Sequence, residues 1–131
     1  KKIVKAALGI KQGLQDGLEL GDLGMEADWG YAPDYVEAMH RMLAQNEPDD
    51  YIVATGEKHS VREFAETAFS LLGLDWRRHV RENPALISRN KCKPAVGSPS
   101  KLMSKTGWRP SVDFQQMIRR LLEAEGAVIH G

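Results

Sequence analysis

Two short patterns place more of this chain than any other feature. Ser60 is followed three residues later by Glu63, and Asp113 three residues later by Gln116. In such a capping box the first side chain accepts from the third helical N–H, and the third side chain reaches back to the first residue's N–H. Each pair therefore fixes a helix start. The first predicts a helix from Val61 to Leu72 that stops at Gly73. The second is reinforced by Val112 and Met117 as a hydrophobic staple, with Phe114, Met117, Ile118, Leu121 and Leu122 as the buried face of the last helix.

Weaker signals fill the intervals. Apolar residues Ile3, Val4, Ala7, Leu8, Ile10 and Leu14 recur at spacings near three and four, which predicts a helix over Lys1 to Asp16 with Gly17 as its stop. Leu18 to Gly21 reads as a short strand, and Asp22 to Ala32 as a loop. Pro33 suits a helix's first turn and Asp34 its positive end, opening a helix to about Gln45 whose buried face is Tyr35, Val36, Met39, Met42 and Leu43. Tyr51 to Thr55 is expected as a buried strand, Leu74 to Val80 as a partly exposed one, and Asn83 to Pro99 as a long loop. Ser98-Pro99 introduces a short helix ending at Gly107. The sum is a small mixed α/β domain of about five helices with two or three short strands.

The 131 residues carry 18 Lys+Arg against 18 Asp+Glu with a mean hydropathy of −0.41, which describes one small domain able to build a core without staples. Zero net charge gives no electrostatic reason to expect nucleic acid. No apolar run is long enough to span a bilayer, so no membrane partner is expected. The single Cys92 cannot form an internal disulfide, which fits a reducing, cytoplasmic location. The chain opens on Lys1, already within helical periodicity, so it is expected to begin inside a longer polypeptide. On that expectation, the stripe of the first helix packs against a missing domain and the isolated chain self-associates.

Catalytic motifs are absent. Gly17, Gly21 and Gly24 do not have the dinucleotide spacing, there is no P-loop, and none of Tyr31, Tyr35 and Tyr51 is followed four residues on by lysine. His40, His59, His79 and His130 have no ligand spacing, so no metal is expected. Arg77, Arg78, Arg81, Arg89, Lys91 and Lys93 form the one local basic excess, either a solvated loop or a grip on a diphosphate-linked ligand. Trp29, next to Gly30, is either a core wedge or an apolar plate for a sugar or base.

The run from Asp28-Trp29-Gly30-Tyr31 to Met39, the run Glu47-Pro48-Asp49-Asp50-Tyr51 to Gly56, and Ser60-Val61-Arg62-Glu63-Phe64 resemble the C-terminal part of GDP-mannose 4,6-dehydratases. Gly97-Ser98-Pro99-Ser100-Lys101 and Gly107-Trp108-Arg109-Pro110 look like later segments of that family. These are extended short-chain dehydrogenase/reductases. The resemblance implies that residues 1–131 are the substrate-binding domain of a lyase, without the N-terminal Rossmann domain that holds NADP and the catalytic residues. It implies a nucleotide-sugar substrate, the Rossmann domain of the same enzyme as partner, a homo-oligomer, and an isolated chain that is inactive. Lys2 matches a family lysine near the nucleotide sugar, and Lys2, Trp29 and Arg89 are the expected substrate contacts. Departures stand at Ala27 for an arginine of the nucleotide site, at Tyr31 and Pro33, and at Ser88 and Lys91 for an arginine and a glutamate. A related sugar-nucleotide reductase or epimerase, or a non-catalytic module that kept the fold, are the rival expectations.

Overall fold

The computed structural model describes residues 2–86, 98–127 and 129. Helices α1 (Lys2–Lys11), α3 (Val61–Leu71) and α6 (Phe114–Ala124) pack on one another. Against them lies a parallel ribbon of β1 (Leu18–Leu20) and β4 (Val80–Glu82), in register Leu18↔Val80 to Leu20↔Glu82. Their shared core includes Val4, Ala7, Phe69, Met117, Ile118 and Leu122. The mixed α/β architecture expected above is what the described residues form, including the expected short helix α5 (Ser100–Thr106) before Gly107, with the short helix α4 (Trp76–His79) in addition.

Both capping boxes are present. Glu63 N donates to Ser60 Oγ at 3.1 Å and Gln116 N to Asp113 Oδ1 at 2.7 Å, with Glu63 and Gln116 reaching back. The first helix ends earlier than expected, at Lys11. Gly13 adopts a left-handed φ of 75°, Gly13 N donates to Ile10 O, and Leu14 N donates to Gly9 O at 2.8 Å. That paired closure satisfies the last carbonyls and turns the chain out, so Leu14 is exposed and Gly17 is not the stop. The same closure recurs at Gly73 and Gly126.

Helix α1 also corrects the expected self-association surface. Val4, Ala6, Ala7, Leu8, Gly9 and Ile10 are all buried, covered by α3, α6 and β1 of this same chain. The bare apolar face lies on α2 (Ala32–Leu43) instead. There Val36, Met39 and Leu43 are 53%, 54% and 86% exposed, while the buried residues are Asp34 and Ala38. A periodicity argument finds the apolar face but cannot say whether the chain supplies something to cover it.

Two further expectations fail. Tyr51 to Thr55 forms no ladder; at its end the N–H groups of Thr55 and Gly56 are met by a side chain, as described below. The expected strand over Leu74 to Val80 is replaced by α4, since the Asp75 carboxylate accepts from Arg77 N at 3.1 Å and starts a helical turn. The Asp22 to Ala32 loop contains a two-residue strand, β2 (Glu26–Ala27), antiparallel to β3 (His59–Ser60). A second, smaller core of Ala38, Leu102 and Trp108 joins α2 to α5, with Tyr35, Met42, Tyr51, Val53 and Met103 packed around it.

Candidate functional site

The segment from Asp28 to Tyr35 is held by its two aspartates. Asp28 accepts from Thr55 N, Thr55 Oγ1 and Gly56 N, the last at 3.0 Å, so one carboxylate takes the place of a missing strand partner for Thr55 and Gly56. Asp34, 9% exposed, accepts from Ser111 N at 2.9 Å and from Ser111 Oγ. Its backbone carbonyl accepts from the indole Nε1 of the buried Trp108 at 2.8 Å. These bonds tie the start of α2 to the turn after α5, and they are structural tasks.

Between these anchors lies a cavity of about 130 Å³. Trp29, Tyr31, Tyr35 and Phe114 form aromatic walls, and Glu57 and His59 stand on one side. The His59 ring stacks on Phe114 with centroids 3.8 Å apart and planes 10° from parallel. Its Nδ1 lies 2.8 Å from Glu63 Oε2, and this bond, with lesser help from Ser60, holds the Glu63 carboxyl below the usual carboxylate range. His59 Nε2 is buried and makes no hydrogen bond among the described residues, with Glu57 Oε2 3.6 Å away. The Tyr35 phenol is pushed up by burial first, and then by Asp28 and Asp34.

Of the expected contacts among the described residues, Trp29 lines this cavity and Lys2 does not. Trp29 is half-buried, edge-to-face with Phe64 at 5.5 Å and tilted against Phe114 at 6.1 Å. It is a wedge in the main core that also walls the cavity. Lys2 sits exposed in the first turn of α1 and does not line the cavity. Arg89 lies outside the described residues, as do Ser88, Lys91 and Cys92. Ala27, half-buried in β2, pairs with His59 and brings no charge. The sequence places Phe114 on the buried face of the last helix and gives His59 no ligand spacing, but it does not bring the two together. The only available signal was His59 just before a capping box whose glutamate stands four residues on.

Among the described residues no three His, Cys, Asp or Glu side chains are placed to hold a metal ion. No glycine-rich strand-to-helix turn is present in the sequence to cradle a pyrophosphate.

Comparison with known proteins decides the ancestry. The profile of the family described as GDP-mannose 4,6 dehydratase matches residues 1–121. The chain belongs to that family. GDP-mannose 4,6 dehydratase 1 of Arabidopsis thaliana is 40% identical over 125 residues, covering 95% of this chain and 35% of the relative. The Homo sapiens GDP-mannose 4,6 dehydratase is 33% identical, covering 95% of this chain and 38% of the relative. This dehydratase-family chain thus spans between a third and two fifths of the length of these relatives.

Among solved structures, RMD from Pseudomonas aeruginosa complexed with NADPH superposes with a TM-score of 0.80 at 27% identity, over 94% of this chain and 41% of that one. The UDP-glucose 4-epimerase of Thermus thermophilus, solved with NAD, gives 0.75 at 33% identity over 96% and 40%. The fold is that of a part, about two fifths, of extended short-chain dehydrogenase/reductase chains. No helix among the described residues of this family member is long and apolar enough to cross a membrane.

Proposed function

We propose that this chain is the C-terminal sugar-nucleotide-binding part of a GDP-mannose 4,6-dehydratase, joined on one polypeptide to a Rossmann domain and inactive without it. The observation that carries the reading is the family match over residues 1–121 in a chain that spans only about a third of its Arabidopsis relative. The whole enzyme would convert GDP-mannose to GDP-4-keto-6-deoxymannose. NADP would sit on the Rossmann domain and supply the hydride chemistry there.

The bare face of α2 supports the two-part reading. Val36, Met39 and Leu43, with Ile52 56% exposed on the neighbouring extended segment, offer apolar surface that a further domain would cover. This replaces α1 as the docking face. In the substrate site, Lys2 and Arg89 would grip the diphosphate, the one as a point charge and the other as a fork. Trp29 acts from behind, wedged between Phe64 and Phe114, and holds the β2 segment in place without stacking on the sugar. A cytoplasmic enzyme and a homo-oligomer complete the reading.

The departure at Ala27 favours a second reading, in which the fold persists as a binding or assembly module, or serves a different sugar nucleotide. Titration calorimetry at low salt with GDP, GDP-mannose and UDP-glucose separates the two. Selective GDP-mannose binding, weakened by Lys2→Ala, is expected once a Rossmann domain is joined to the chain. Failure of that joined protein to bind any of the three overturns the dehydratase reading.

A further inference from the structure

We propose that the aromatic cavity bounded by Trp29, Tyr31, Tyr35 and Phe114 binds a small organic cation, an alkylammonium head group. Four ring systems form its walls. The negative faces of such rings attract a desolvated cation, and a quaternary ammonium is the ligand class that cages of this kind recognise. At about 130 Å³ the space is far below that of a nucleotide site and suits a compact head group.

Charge points the same way. Asp34, Glu57 and Asp113 line the cavity with His59, and among the described residues no Lys or Arg does. A more open depression shares Glu57, His59, Asp113 and Phe114 with it and adds Glu63 and Glu66. A phosphate would meet this field as repulsion. The positive end of α6, which otherwise could hold an anion, is already taken by its own Asp113 cap. Asp34 gives its hydrogen-bonding capacity to Ser111, so its part is long-range charge. Glu57 is different. Its side chain is 74% exposed, and among the described residues its one ion-pair partner is His59 Nε2 at 3.6 Å.

One ring of the set already meets a cation, the Arg120 guanidinium, which lies 5.4 Å over the Tyr31 ring. The raised Tyr35 phenol, due in part to Asp28 and Asp34, is a second sign of negative potential at this wall.

The test is an NMR titration of the chain with tetramethylammonium and choline chlorides, at ionic strength held constant with NaCl. The neutral isostere 3,3-dimethylbutan-1-ol serves as control. Both cations are expected to saturate shifts of Trp29, Tyr31 and Phe114 resonances, with the neutral isostere at least about tenfold weaker. Glu57→Gln removes an exposed charge with little risk to folding and is expected to weaken cation binding about threefold. Trp29→Phe keeps a ring in the wall and should retain the cation preference. Equal binding of the isostere, no saturation with either cation, or unchanged affinity in Glu57→Gln at unaltered circular dichroism would each overturn the proposal.

Discussion

Gly30 is a glycine for a reason that can be measured. Its φ is not left-handed, so backbone conformation does not demand it. What demands it is Tyr35, whose Oη and Cζ would overlap a β-carbon at position 30 and whose Cε1 would lie 2.5 Å from it. To accept alanine the phenol ring must retreat by more than about 1 Å to reach normal contact distance. The ring is packed against the small core of Ala38, Leu102 and Trp108, with the Trp108 centroid 6.5 Å away, so the retreat disturbs packed neighbours. Overpacking of this kind costs about 1–3 kcal/mol, so Gly30→Ala should destabilise by that amount. In a Tyr35→Ala background the clash is gone and only the stiffer unfolded chain remains. There Gly30→Ala should stabilise by about 0.5 kcal/mol. The readout is a double-mutant cycle of urea unfolding curves, followed by tryptophan fluorescence and far-UV circular dichroism. An equal cost for Gly30→Ala in both backgrounds would refute the steric argument.

Other consequences are as direct. Asp34→Ala removes the acceptor of Ser111 N and Oγ and, because Ser111 is exposed to water, should cost about 1 kcal/mol in denaturant unfolding, with Ser111→Ala adding little on top. Leu43→Lys on the bare face of α2 should leave the unfolding midpoint of the isolated chain within about 0.5 kcal/mol while reducing its self-association in light scattering. Asp49, bonded by Lys101 at 2.7 Å and by Lys105 at 3.1 Å, is held below the usual carboxylate range by those ammonium groups, as Glu63 is by His59. Both folded-state values lie below the unfolded ones, so the stabilisation is complete above about pH 5 and lost as pH falls below about 4. Lys101→Met together with Lys105→Met should flatten the Asp49 share of that acid slope, as seen in unfolding midpoints between pH 3 and 6.

The parts of the fold that could be read from sequence were those decided within a few residues. The boxes at Ser60 and Asp113 are local, and both helix starts stand where the pattern put them. Errors arose where two like residues compete within one segment, or where the deciding partner is distant. Gly13 and Gly17 are equal as letters, and only the closure onto Gly9 and Ile10 chooses between them. The Tyr51 to Thr55 segment has strand composition, yet its partner is the Asp28 carboxylate across an intervening helix. The site shows the same division. Trp29 was noticed for its glycine neighbour, whereas the pairing of His59 with Phe114 exists only because α6 folds back beside β3, which no spacing reveals. The family itself was legible because its motifs are short continuous runs, and the match over residues 1–121 agrees.

The parallel β1–β4 ribbon has a consequence for the order of folding. Leu18 meets Val80 only after the chain has passed through α2, α3 and α4, so its loop is long and its few hydrogen bonds return little until the helices are docked. The boxed helices can nucleate early on local contacts, but the ribbon cannot precede them. Its amides then become a gauge of the completed topology, with Arg81 and Leu20 exchanging hydrogen with solvent only when the whole helical layer opens.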